Sequence, residues 1–245
     1  TASNNSAVGH QALTANTTGD NNVAVGNNAL DANTTGAANT AVGRDALTTN
    51  TTASNNTAVG VAALEQNNGT SNVAVGKDAL KANTTADNNT AVGFSALVAT
   101  TTGSYNTALG YQSGDSITDG ISNTAVGYEA QGTSNGNYNT AVGDRALFAT
   151  NGGNENTVVG SRAHYGTANS ATRNTVIGVS AMEGATTGSY NTALGMRALY
   201  LNTTGTENVS AGYLSMDANT TGSYNVAMGV NALGGNTTAT YNTAI

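Results

Sequence analysis

The segment NTAVGRDALTTNTTASN, residues 39–55, decides the fold because close copies of it run along the whole chain. Each copy begins with an Asn and carries a Gly four residues later. Most copies are 17 residues long, two are 16 and one is 18. A fixed period of this kind is the signature of a repeat architecture, in which each unit buries its apolar side chains only by stacking on its neighbours.

Two positions of the repeat do not vary. The first position is always Asn, at Asn5, Asn22, Asn39, Asn56, Asn72, Asn89, Asn106, Asn123, Asn139, Asn156, Asn174, Asn191, Asn208, Asn225 and Asn242. The fifth is always Gly, at Gly9, Gly26, Gly43, Gly60, Gly76, Gly93, Gly110, Gly127, Gly143, Gly160, Gly178, Gly195, Gly212 and Gly229. Stacked Asn side chains can hydrogen-bond along a stack, and an invariant Gly indicates positive φ or close backbone approach. We therefore interpret both columns as structural ladders that need no ligand.

The pattern within one repeat predicts an all-β protein, a parallel β-solenoid (β-roll) of about 14 coils with a 17-residue repeat. Thr-Ala-Val is a short β-favouring segment, Ala-Leu marks a second apolar segment, and Asn-Thr-Thr-Gly has turn chemistry. Each coil is thus expected to hold two short strands and two turns. We interpret residues 1–245 as one repetitive segment of a longer fibrous protein, with more irregular coils at 110–173, where Gly114 and Gln131 replace Leu.

The alternation of side chains along a strand separates the repeat into two faces. We expect the Thr or Val at the second position and the Val at the fourth to fill the coil, while the Ala at the third forms an outer strip. The reverse assignment stays open. Three medium apolar side chains per coil contribute about 1.5–3 kcal/mol each, against about 1–2 kcal/mol per ordered backbone residue. Because the chain has no Cys to brace so thin a coil, the sequence predicts a homo-oligomer, as a trimer or a filament.

Composition and motifs argue against several function classes. The chain has 7 basic and 14 acidic residues, net charge -7, with no basic stripe for nucleic acid. No apolar run approaches the roughly 20 residues of a membrane span. His10 and His164 have no carboxylate in a triad-like pattern, and we interpret Asp115 and Asp119 as a solvated turn. We therefore expect no enzyme, no catalytic residues, no metal site and no cofactor.

Five tyrosines precede a ladder Asn and are candidate glycan-facing residues. They are Tyr105, Tyr138, Tyr190, Tyr224 and Tyr241. Exposed tyrosines offer an apolar ring face and a polar tip, which suits sugars or an interface. The alternative is that these side chains only cover the turns.

The stretch Asn-Thr-Ala-Val-Gly, as at 123–127 and 139–143, resembles the Asn-Ser-Val-Ala-Ile-Gly core of head repeats in trimeric autotransporter adhesins, the Hep_Hag or YadA-like head family. The repeats are also similar to those of long bacteriophage tail fibres. The resemblance implies a left-handed β-roll, three chains per head, a role in attachment, and a location that is extracellular, on a cell surface or on a virion. Heads of that family use a shorter repeat than the 17 residues found here.

The sequence as a whole predicts a non-catalytic structural and adhesive fibre segment, an elongated rod that mediates attachment or builds an extracellular or virion appendage. A surface glycan or a protein receptor is the expected partner. The alternative is an ice-binding β-solenoid, since Thr occupies ten of the fifteen second positions, although Val23, Val73, Val209 and Val226 interrupt that row. A polysaccharide-processing β-helix enzyme would need a cluster of acids, and the 14 acidic residues are scattered.

Overall fold

A computed structural model describes residues 2–149, 152–166 and 170–245. These residues form one short strand per repeat, with turns between the strands and no α-helix in the described part. Two compact units divide the chain, Thr1–Ile121 and Ser122–Ile245, and each is a stack of coils. The predicted all-β fold, a parallel β-solenoid of about 14 coils with a repeat of about 17 residues, is confirmed.

The strands of each unit pair in chain order, and every pairing is parallel. The first unit holds β1 (Ser6–Val8), β2 (Val23–Val25), β3 (Thr40–Val42), β4 (Thr57–Val59), β5 (Val73–Val75), β6 (Thr90–Val92) and β7 (Thr107–Leu109). The second holds β8 (Thr124–Val126), β9 (Thr140–Val142), β10 (Thr157–Val159), β11 (Thr175–Ile177), β12 (Thr192–Leu194), β13 (Val209–Ala211), β14 (Val226–Met228) and β15 (Thr243–Ala244). Equivalent repeat positions lie opposite one another throughout.

Backbone hydrogen bonds join neighbouring coils outside the strands as well. At the Ala-Leu corner, the Leu47 amide donates to the carbonyl oxygen of Ala63 at 3.1 Å. In the Thr-Thr turn, the Thr34 amide donates to the carbonyl oxygen of Thr51 at 2.8 Å. Buried backbone groups must find such partners, and the exact repeat supplies them because each coil presents the same groups at the same height.

The prediction of a second strand in each coil is wrong, because the Ala-Leu segment forms a corner. In the coil of β3, Asp45 and Leu47 flank Ala46 with φ values of 59° and 53°. Equivalent residues of the other coils share this left-handed conformation, as at Asn28 and Leu30. Strands need strongly negative φ, so two left-handed residues on either side of one Ala turn the chain instead of extending it.

The expected assignment of the strand faces is also wrong, and the reverse assignment is the observed one. The middle residue of each strand from β2 to β14 is buried, usually an Ala, while its two neighbours are half-buried or exposed. In the coil of β3 the interior holds Ala41, Ala46 and Leu47 together with Asn39 and Asn50. Such a narrow interior takes a methyl group at the third position, so the larger Thr and Val side chains point outward.

Two groups of substitutions in the interior are compensated by neighbouring residues. Gly114 replaces the buried Leu, and Ile117, which is fully buried, occupies that space, since a Cβ on Gly114 would lie 3.1 Å from its Cδ1. In the coil of β13, Ser210 and Ser215 replace two alanines. The Ser210 hydroxyl donates to the carbonyl oxygen of Ser215 at 2.7 Å, and the Ser215 hydroxyl donates to the carbonyl oxygen of Ala227 in the next coil at 3.2 Å. The stretch 110–173, predicted to be irregular, includes residues 150, 151 and 167–169, which lie outside the described residues.

Candidate functional surfaces

The first-position Asn residues tie each coil to the next and close each coil on itself. In the first unit the Asn106 amide donates to the Asn89 Oδ1 at 2.8 Å, and the Asn89 Nδ2 donates to the carbonyl oxygen of Gly103 at 2.9 Å. The same two bonds recur in the second unit, where Nδ2 also approaches the Oδ1 of the preceding Asn, at 3.1 Å between Asn225 and Asn208. Most of this column bonds to the backbone. Bonds between Asn side chains of the column add to this in the second unit, and in the first unit the Asn72 Nδ2 donates to the Asn67 Oδ1 at 3.3 Å.

A second Asn column, at the twelfth position, forms a side-chain ladder that sequence reasoning missed. Its members include Asn16, Asn33, Asn50, Asn67, Asn83, Asn202, Asn219 and Asn236. The Asn50 Nδ2 donates to the Asn33 Oδ1 at 3.0 Å and to the carbonyl oxygen of Ala53, also at 3.0 Å. The recurring Asn of Asn-Thr-Thr-Gly was the available signal, but turn chemistry alone explained it at the sequence level.

The fifth-position glycines from Gly9 to Gly93 and from Gly127 to Gly212 combine positive φ with close contact between coils, whereas Gly229 has positive φ alone. Gly43 has φ +141°, and a Cβ placed on it would lie 2.6 Å from the carbonyl carbon of Gly60. No L side chain fits such a contact without moving backbone. The Gly column is therefore occupied by neighbouring backbone and offers no space for a ligand.

The outer face of each sheet carries an apolar column along its length. The fourth-position residues are Val8, Val25, Val42, Val59, Val75, Val92 and Leu109 in the first unit, and Val126, Val142, Val159, Ile177, Leu194, Ala211 and Met228 in the second. Val59 is 37% exposed and Met228 47% exposed. The second-position column, mostly Thr with some Val, runs beside it. Each unit therefore exposes a row of aliphatic side chains next to a row of hydroxyl groups.

The five candidate glycan-facing tyrosines lie on an exposed edge of the coils, all with positive φ. Tyr224 and Tyr241 stack on one another, with ring centroids 5.0 Å apart. The Tyr190 hydroxyl accepts a hydrogen bond from Arg173 at 2.6 Å, and Arg173 is paired with Glu155 at 2.8 Å. The hydrogen bond from Arg173 is the main cause of the lowered pKa of the Glu155 carboxyl. These side chains cover turns and one another, and their role in glycan binding stays a prediction.

His164 stands in the buried Leu column of the second unit and is fully buried. Neither ring nitrogen has a hydrogen-bond partner among the described residues, and burial lowers the pKa of His164 to about 4. Gln131, two coils away in the same column, is also fully buried, and its Nε2 and Oε1 atoms have no hydrogen-bond partner among the described residues. The imidazole is therefore neutral near pH 7, and the loss of hydrogen bonds to water at its two ring nitrogens destabilises the folded chain.

Replacing His164 by Leu is expected to stabilise the chain and to remove one pH dependence. With a folded pKa near 4 and an unfolded pKa near 6.5, the unfolded chain binds the proton first, so the free energy of unfolding falls as pH drops from about 6.5 to 4. This difference between the unfolded and the folded pKa corresponds to a loss of roughly 3 kcal/mol in the free energy of unfolding. Urea unfolding at pH 7.5 and 4.5 should show a gap between variant and wild type that widens at the lower pH. A pH-independent gap, or the same widening in the exposed-site control His10→Gln, would contradict this reading.

The remaining titratable candidates do not assemble into a reactive site. His10 is exposed and contacts the Asn27 side chain at 3.2 Å, in a different unit from His164. Asp115 is half-buried and Asp119 exposed, both in the turn after β7. Within the described ranges, no group of three His, Asp or Glu residues could hold a metal ion. The described residues also include no helix long and apolar enough to cross a membrane.

These features define a β-solenoid repeat protein with structural ladders inside and an apolar column outside. A scan of the chain against protein-family models found no matching family, and a search of curated proteins found no match. Function is therefore inferred from the chain's own residues.

Proposed function

We propose that this chain is a non-catalytic structural and adhesive fibre segment, exposed outside the cell or on a virion, in which three copies associate through the outer faces of their sheets. The observation that carries the proposal is the outward apolar column at the fourth position. It contains no polar or charged residue in either unit. Resemblance to adhesin heads and tail fibres supports the three-chain, left-handed form and the attachment role.

The chemistry of the outer face favours association between copies. Exposed apolar side chains in a continuous row mark interaction surfaces, because isolated soluble chains rarely leave large apolar patches in water. The fourth-position column is aliphatic from Val8 to Leu109 and again from Val126 to Met228. The Thr hydroxyls beside it are small enough to let a second sheet approach. The same repeat that stacks the coils therefore also repeats one contact along each unit.

The thin interior gives a second reason for partners. Each regular coil buries one Leu and two Ala among its apolar side chains, as in Leu97, Ala91 and Ala96. Slim folds without disulfides or metals commonly gain stability from oligomerisation, and the chain has no Cys. Burial of the outer Val column against other copies would add the missing apolar contact.

Introducing charge into the outer column should separate the copies while leaving the coils folded. In the double variant Val59→Lys and Val75→Lys, both side chains already point to solvent, so we expect an unchanged circular dichroism spectrum. The mass should fall from that of the assembly to the 24.2 kDa of one chain, as measured by light scattering. Thr52→Lys, a charge at an exposed turn, is the matched control and should keep the assembly. An assembly that survives both Val substitutions would contradict the proposal.

Ice binding is the second candidate function, because the Thr column does point outward from the sheet. Thr40, Thr57, Thr90 and Thr107 share the outer face of the first unit at the strand spacing of about 4.8 Å. Val73 interrupts this row. A thermal hysteresis assay decides between the candidates, since an ice-binding face must stay free of partners. Hysteresis from a monomer would favour ice binding, and its absence would remove that candidate.

A further inference from the structure

The sixth repeat position, which directly follows the Gly column, is apolar in four consecutive coils of the second unit. These are the coils of β11, β12, β13 and β14, and the residues are Val179, Met196, Tyr213 and Val230. The two coils before them carry Asp144 and Ser161 at this position. No other run of four coils along the chain is apolar there. The sixth position therefore distinguishes these four coils from the rest of the repeat.

The sixth-position side chains of these coils widen the apolar outer face of the sheet. They are between 44% and 73% exposed, and the fourth-position residues lie two places earlier in the chain. Those residues are Ile177, Leu194, Ala211 and Met228, all exposed except the half-buried Ala211. The strands pair in register, so like positions lie side by side at about 4.8 Å. The eight residues form one surface, two columns wide and four coils long, which we call the wide face.

The second, fourth and sixth positions of these coils carry no charged residue. The second-position residues are Thr175, Thr192, Val209 and Val226. The three columns together thus hold ten apolar side chains and two Thr. Single exposed apolar side chains are ordinary on a soluble protein, whereas a contiguous group of them marks an interaction surface. The wide face is such a group.

The sixth position of the first unit differs, because it carries charges that have partners within the chain. Arg44 and Lys77 occupy this position, and they pair with Asp45 at 3.1 Å and with Asp78 at 3.3 Å. Phe94 follows Lys77 in the column, and the Lys77 Nζ lies 5.4 Å from the centroid of its ring. In the first unit only the fourth-position column is therefore apolar without interruption.

We propose that the wide face is covered by the wide face of a second copy, which makes the coils of β11–β14 the broadest contact between copies. The inference rests on the association of copies proposed above and deepens it by locating the contact. Two properties select a second copy as the partner. The wide face continues the fourth-position column of the proposed association. Identical uncharged faces also meet without bringing like charges together, whereas two chains of net charge -7 repel elsewhere.

A lipid surface is the other apolar partner, and the wide face fits it less well. Protein surfaces that insert at the headgroup boundary combine apolar side chains with several Lys or Arg, which are attracted to anionic lipids. The seventh-position residues next to the wide face are Ser180, Arg197, Leu214 and Asn231, with one basic residue among them. The net charge of -7 adds repulsion from anionic lipids. A second copy needs no such cations.

Sedimentation equilibrium of the full chain carrying Val179→Lys tests this proposal. We expect the concentration at which the assembly half-dissociates to rise about tenfold or more, because an unpaired charge is costly to bury and tenfold corresponds to only about 1.4 kcal/mol. Met196→Lys, in the next coil, should act in the same way. Val61→Lys makes the same change at the sixth position of the first unit. It is the matched control and should assemble as wild type, and circular dichroism should be unchanged in all three variants.

Three outcomes would overturn the proposal. They are an assembly that survives both Val179→Lys and Met196→Lys, equal weakening by Val61→Lys, or a monomer that floats with phosphatidylcholine vesicles. The mass of the assembly separates this result from the proposed fibre role. If the double variant Val59→Lys and Val75→Lys dissociates an assembly that Val179→Lys leaves intact, only the wide face is refuted. A two-chain assembly that Val179→Lys dissociates would refute the three-chain fibre and leave the wide face standing.

Discussion

Replacing Gly43 by Ala is expected to destabilise the first unit by about 3 kcal/mol or more. Gly43 has φ +141°, a conformation that side-chain-bearing residues rarely adopt, and the new Cβ would lie 2.6 Å from the carbonyl carbon of Gly60. Neither backbone can withdraw, because the Gly60 amide donates to the carbonyl oxygen of Val42 at 2.8 Å in the same stack. Urea unfolding followed by circular dichroism measures the loss.

Two other glycines separate the causes of this effect. Gly229 has φ +120° but no heavy atom within 4 Å of the position that an added Cβ would take, so Gly229→Ala carries the strain of φ alone, about 1–3 kcal/mol. Gly235 has neither positive φ nor a neighbour within 4 Å, so Gly235→Ala should be neutral or slightly stabilising. The predicted order of destabilisation is Gly43, then Gly229, then Gly235. Equal losses at Gly43 and Gly229 would show that contact between coils does not restrict the column.

Replacing Asn89 by Ala is expected to lower the free energy of unfolding by about 4 kcal/mol. The change removes the Oδ1 acceptor of the Asn106 amide and the Nδ2 donor to the carbonyl oxygen of Gly103. Two buried backbone groups would then lack partners, at about 1–3 kcal/mol each. Hydrogen exchange at the Asn106 amide should accelerate more than at strand amides of distant coils, because the loss is local.

Asn88→Ala is the matched control for the ladder. Asn88 is the same residue type one position earlier, but it is exposed and has φ 59°. Its replacement removes no buried hydrogen bond, so we expect a change within about 1 kcal/mol. If Asn88→Ala and Asn89→Ala destabilised the chain equally, the Asn column would be a matter of composition and not of hydrogen bonding.

The solenoid itself could be predicted because its cause is visible in the sequence. A coil that stacks on copies of itself needs the same residue at each constrained position, and Asn and Gly at invariant spacing report those constraints directly. The ladder bonds of Asn89 and the contact at Gly43 are local consequences of that stacking. The left-handed conformation of Leu47 could not be predicted, because an isolated Leu avoids it and only the hydrogen-bonded corner imposes it.

The faces of the strand were assigned wrongly because alternation separates two faces without saying which one is inside. Hydrophobicity favoured an inward Val, but the size tolerance of the columns indicates the reverse. The third position is Ala with few exceptions, among them Val158 and Ser210, whereas the fourth accepts Leu109, Ile177 and Met228. A narrow interior restricts size and an outer face does not. Variation in side-chain volume was thus the better signal.

The contacts of Arg162 with Tyr165 and of Arg197 with Tyr200 were missed because a consensus averages over repeats. Arg at the seventh position and an aromatic residue at the tenth occur together in only three coils, so neither forms a column along the chain. The five turn tyrosines were more conspicuous because each precedes an invariant Asn. Phe148, Tyr165 and Tyr200 are departures from the repeat, and a consensus does not show them.

We propose that the outward Val and Thr columns join copies of this chain. Sedimentation equilibrium of the full chain at neutral pH and moderate salt tests it most directly. We predict a single species with the mass of three 24.2 kDa chains, stable on dilution through the micromolar range. A folded species of 24.2 kDa at every concentration would contradict the account.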